Sequence, residues 1–136
     1  PYEATNPRTL AWVHVTEAQS FLAGYVRHVR PAMPVAEQDE YYRQFAVIAR
    51  ALGADPVPET RAEAERIFRE LRHDLATSKE AREVAQLVLA QRPPGTPRSV
   101  QTMITTDAVS MLPDWARHML GLQRPVLTAL PARAAT

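Results

Sequence analysis

The chain has 136 residues, 46% of them hydrophobic and 23% charged, which suits one globular domain and argues against wholesale disorder. Sixteen basic residues against fifteen acidic ones leave a net charge of +1, so no general electrostatic attraction to nucleic acid or anionic membrane is expected. Cysteine is absent, which excludes disulfides, thiolate zinc sites and thiol catalysis. No apolar run approaches the roughly 18 residues that a membrane-spanning helix needs.

The first six residues, Pro1 to Asn6, read as a lead-in loop, and Asn6-Pro7 as a helix start. Asn caps free N–H groups, and proline at the first helical position has none to satisfy. The spacing predicts a helix to about Val29, stopped by Pro31. Its apolar residues form two seams, one through His14, Ala18, Phe21 and Tyr25 and one through Ala11, Val15, Leu22, Val26 and Val29. A helix apolar on two sides is packed by neighbours on both. A second helix is expected from Pro34 to Gly53, with Tyr41, Phe45, Ile48 and Leu52 on its packed face and Tyr42 and Ala49 widening the stripe. Gly53 suits a left-handed C-cap.

Residues 54–59 read as a connector, and Thr60 with Glu63 as a capping box. The helix they open carries Ala64, Ile67, Phe68, Leu71 and Leu75 on one face. Thr77 with Glu80 reads as a second capping box, opening a helix with Val84, Leu87 and Val88. Three prolines and a glycine make residues 91–97 a loop. A helix from Arg98 to Met111 and a short one from Asp114 to Gly121 follow, and residues 123–136 read as a short frayed tail. No alternating run is long enough for a sheet. The expected fold is all-α, with five main helices and one short one.

Of four histidines, only His14 lies in an uncharged apolar stretch, Leu10 to Thr16. A buried imidazole needs partners for its nitrogens or a role toward a metal or cofactor. The bland reading is a core histidine bonded to a carbonyl. His28 is about 21 Å further along the same helix, so the two cannot share one ion. Glu70 and His73 have the spacing of one half of a di-iron motif, but no second such pair occurs. His118 follows Asp114 by one turn, a common surface contact. The glycines form no phosphate loop or dinucleotide fingerprint, and there is no nucleophile elbow. No catalytic residue and no metal ligand set can be assigned from the residues themselves.

The order of short motifs is more specific than any one of them. Tyr2-Glu3-Ala4-Thr5-Asn6-Pro7 is followed by Trp12-Val13-His14-Val15-Thr16, Ser20-Phe21-Leu22 and Tyr25. Arg30-Pro31, Tyr41-Tyr42, Leu52-Gly53 and Pro58-Glu59-Thr60-Arg61-Ala62 come next, then Leu112-Pro113-Asp114-Trp115-Ala116-Arg117 and Leu120-Gly121. In this order they resemble the rubber oxygenase (latex-clearing protein)/MpaB-like family over residues 2 to about 122. Asn6 stands where that family usually has Asp, and Val15 where Ala is common.

The resemblance implies that residues 1–122 are the C-terminal half of a larger haem-binding helical domain. The missing N-terminal half, or another chain, would be a partner. The cofactor implied is haem b, its axial ligand being a histidine of the preceding half that no position here matches. His14, Ala18, Phe21 and Tyr25 are the expected cofactor-contacting seam. The implied activity is an oxidoreductase using dioxygen on an apolar small molecule, such as cleavage of a polyisoprenoid C=C bond or a prenyl side chain. The alternative is a non-catalytic helical subunit that binds a partner protein or an apolar ligand. Nucleic acid and a membrane span are not expected.

Overall fold

The computed structural model of the chain describes residues 3–123. The expected tail lies outside them from residue 124 onward, as does Tyr2. The described residues form helices and no strands: α1 (Pro7–His28), α2 (Val35–Leu52), α3 (Arg61–Leu71) with a 3₁₀ turn (Arg72–Asp74), α4 (Lys79–Ala90), α5 (Arg98–Met111) and α6 (Asp114–Leu120). The all-α expectation holds. The chain divides into two compact units, Pro1–Leu75 and Ala76–Thr136.

In the first unit the local start and stop signals act as the sequence implies. The Asn6 side chain accepts from the amides of Arg8 at 2.9 Å and Thr9 at 3.2 Å. Gly53 ends α2 at φ 87°, a left-handed conformation that favours glycine. The Thr60 hydroxyl accepts from the Glu63 amide at 3.2 Å, while the Glu63 carboxylate accepts from the Glu59 amide at 2.8 Å, closing a capping box. α2 starts without a side-chain cap. Gln38 instead donates from Nε2 to the Met33 carbonyl at 2.9 Å, tying the preceding turn to the helix.

The core of this unit is built on α1. Ala11, Val15, Ala18 and Leu22 meet Tyr42 and Ala49 of α2 and Ala64, Ile67 and Leu71 of α3. Alanines let the helix backbones approach closely, and Tyr42, Ile67 and Val15 supply the volume. Trp12 stacks on Phe68 with centroids 5.3 Å apart. Arg8 Nε donates to the Asp74 carboxylate at 2.6 Å, an exposed pair between the start of α1 and the 3₁₀ turn.

The packed face of α2 is rotated from the expected one. Gln38, Tyr42, Ala46 and Ala49 are buried, whereas Ile48 is 54% and Leu52 66% exposed. Tyr41 and Phe45 are half-buried at the edge of the interface. The physical reason is the small-residue contact with α1: close packing selects Ala49 beside Tyr42, and the larger aliphatics are turned outward. α1 is likewise covered on one side only. Val13, Phe21, Tyr25 and Val29 remain exposed.

In the second unit the N-cap of α4 is Ser78, not Thr77. The Ser78 hydroxyl accepts from the Ala81 amide at 3.1 Å. The Thr77 hydroxyl is taken by the Met119 carbonyl at 2.7 Å, which Arg82 Nε also reaches at 3.0 Å. These two donors satisfy a carbonyl at the end of α6, where helical partners run out. α4 buries none of its residues, and Val84, Leu87 and Val88 are all open. His118 Nδ1 contacts the backbone oxygen of Asp114 at 3.0 Å rather than its carboxylate.

Arg117 is buried, and its guanidinium binds the Leu112 carbonyl and the Asp114 carboxylate, with Val109 oxygen at 3.5 Å. It therefore satisfies carbonyls at the end of α5 and fixes the turn into α6. Arg117→Met is expected to cost about 1–3 kcal/mol, the penalty for stranding buried acceptors. Chemical denaturation followed by circular dichroism checks this. Arg117→Lys should recover little of the loss, because an ammonium lacks the planar fork.

Candidate functional site

The open side of α1 meets the first turns of α2 in a groove. Phe21, Leu22 and Tyr25 come from α1, Arg30 and Met33 from the connecting turn, and Glu37 and Tyr41 from α2. Its volume is about 440 Å³, within the roughly 300–1,000 Å³ typical of small-molecule sites. The walls are apolar and aromatic. Its charged residues are Arg30 and Glu37, and they are joined to each other. The Arg30 guanidinium donates through both terminal nitrogens to the two carboxylate oxygens of Glu37, the Nη2 bond being 2.9 Å.

Next to the groove runs a column of stacked rings. Tyr41 stacks on Phe45 with centroids 5.5 Å apart and an interplanar angle of 16°. Phe45 stacks on His14 at 5.2 Å and 21°. The Tyr41 hydroxyl donates to the Ala18 carbonyl at 3.2 Å, which orients the first ring of the column. An intact helix leaves that carbonyl a second lone pair for such a bond.

His14 is 7% exposed, and its Nε2 is a buried side-chain nitrogen with no hydrogen-bond partner. Burial lowers its pKa from the ordinary value, because the imidazolium would lose hydration; the nearby Glu17 charge opposes this. The ring is therefore neutral at physiological pH. Burial likewise raises the pKa of Tyr41, and pushes that of Tyr42 up to about 12. Both phenols stay protonated, and Tyr41 remains a donor.

The seam expected to contact a cofactor is thus divided. Phe21, 60% exposed, and Tyr25, 45% exposed, share the groove wall. His14 and Ala18 are buried, the one against Phe45 and the other with its carbonyl under the Tyr41 hydroxyl. Helical spacing joins the four on one line but does not reveal that α2 covers the first two. Arg30, Met33, Glu37 and Tyr41 were not singled out as site residues by sequence reasoning. The seven-residue separation of Arg30 and Glu37 crosses a proline-containing turn, so no periodicity connects them. Glu70 and His73 do not assemble a metal centre: among the described residues no group of three or more His, Asp or Glu side chains is placed to hold an ion. Nor, among them, is any helix long and apolar enough to cross a membrane.

The described residues thus define a helical domain with an aromatic groove beside a buried histidine. The family follows from the whole sequence. Residues 1–136 match the family described as ER-bound oxygenase mpaB/B'/Rubber oxygenase, catalytic domain, and the chain belongs to it. No curated protein and no solved structure matches the chain. Membership makes this an oxygenase-like domain of a cofactor-dependent kind.

Proposed function

We propose that the chain is the second half of a haem b-dependent oxygenase-like domain acting on an apolar substrate. The observation that carries the reading is the match to an oxygenase catalytic domain over the whole chain. The apolar groove on the open side of α1 supports it.

A haem requires an axial ligand, an apolar slot and cations near its propionates. The residues present fit one wall of such a site. Phe21 and Tyr25 offer exposed ring faces along the groove. His14 is enclosed under Phe45, so it acts on the site through packing and polarity. Ala18 does so through its carbonyl, which holds the Tyr41 hydroxyl. The family resemblance implies that a histidine outside these residues would hold the haem iron. Haem, when bound, would supply the binding and activation of dioxygen. The chain's own residues shape the apolar wall and would exclude water and receive the substrate's hydrocarbon body in the groove.

The test is haem retention by the complete domain. A Soret band is expected in the wild type, and Phe21→Asp should lower haem occupancy without lowering the melting temperature, since Phe21 is largely exposed. A folded, colourless wild type would overturn the reading. It would favour the second one, a non-catalytic subunit that binds a partner protein. The exposed Val84, Leu87 and Val88 on a helix with no buried residue support that alternative.

A further inference from the structure

We propose that Glu37 is a specificity residue: by cancelling the charge of Arg30 it makes the groove select uncharged apolar molecules and reject their carboxylate analogues. The inference rests on the reading of the groove as a ligand site and names the chemistry of its occupant.

The groove is otherwise lined by Phe21, Leu22, Tyr25, Met33 and Tyr41. An unpaired arginine at the edge of such a slot would attract a carboxylate, which its planar fork binds through two bonds. Here that geometry is already occupied. Both terminal nitrogens of Arg30 are engaged by Glu37. A carboxylate ligand would have to displace Glu37 while lying against its negative charge. Like charges brought together across an interface oppose binding, and the displaced Glu37 would gain nothing in return. An alcohol or a hydrocarbon meets no such opposition, because the ion pair presents no net charge. Tyr41 does not supply a replacement donor, since its hydroxyl is bonded to the Ala18 carbonyl.

Glu37 is in the first turn of α2 and half-exposed, so Glu37→Gln removes the charge without opening the core. The full chain is titrated at neutral pH with two fluorescent probes of the same body, 1-pyrenebutanol and 1-pyrenebutanoate. The wild type is expected to bind the alcohol at least about tenfold more tightly, the factor that a modest electrostatic difference produces. In Glu37→Gln the carboxylate should gain at least about tenfold while the alcohol changes little, because Arg30 is released for it. The double variant Arg30→Gln/Glu37→Gln should lose that gain. Circular dichroism confirms that each variant is folded.

Equal wild-type affinity for both probes, with both lost in Phe21→Asp, would overturn the selectivity and leave the groove as a ligand site. A carboxylate that gains nothing in folded Glu37→Gln would do the same. Failure of the wild type to bind either probe would overturn the groove reading itself, and the selectivity with it.

Discussion

Tyr42→Ala is expected to cost about 3–5 kcal/mol of stability, the range for deleting a large aromatic side chain from a core. Tyr42 is 2% exposed, at the point where α2 packs against α1 and α3. The lost ring leaves a cavity that three helices can refill only by shifting. Ile48→Ala, six residues on, should change stability by less than about 1 kcal/mol, because Ile48 is 54% exposed and surface changes are usually small. Urea denaturation of both variants reads the rotational phase of α2 directly. Comparable losses from the two would contradict the packing described here.

His14→Leu is expected to stabilise the protein by about 1–2 kcal/mol, the part of an unsatisfied buried polar group's penalty that an apolar side chain of similar size relieves. The Nε2 of His14 has no partner, and its ring is packed on Phe45. The wild type should also carry an acid sensitivity that the variant lacks. Its pKa is lowered on folding, so between the folded value and the unfolded value of 6.5 the unfolded chain binds more protons. The neutral ring's contribution is intact above the unfolded pKa. It declines as pH falls through 6.5 and levels off below the folded pKa. The difference between wild-type and variant unfolding free energies across this window isolates the effect from the carboxylates. A flat difference would mean that His14 gains a partner in solution. If the variant is more stable yet the complete domain holds haem less well or with a shifted Soret band, then His14 serves the cofactor at the expense of the core.

Local signals survive into the fold because they need no distant partner. Asn6-Pro7, Gly53 and Thr60 each act within a few residues of where they stand, and each ends or starts its helix as read. The buried stripe of α3 was also legible, since Ala64, Ile67 and Leu71 are its packed residues. The phase of α2 was not. Its largest aliphatics suggested a face through Ile48 and Leu52, but the contact with α1 is governed by how closely the backbones approach, which hydrophobicity does not encode. Thr77 and Ser78 are adjacent and equally able to cap, and only the Met119 carbonyl decides between them. For the groove, the alignment of Phe21 with Tyr25 was legible from one helix's periodicity, but the burial of His14 and Ala18 was not. The α2 side was not, because Arg30, Glu37 and Tyr41 come together through a turn.

The alanines at 11, 18, 49 and 64 leave the first unit's interior little room for change in either direction. At these buried positions larger side chains would overpack the core, and glycine would loosen the helices. The residues free to vary are those on the open ring-lined side, where Phe21 and Tyr25 stand. If the groove takes a ligand, its lining can therefore be remodelled while the helical frame behind it is held nearly fixed by packing.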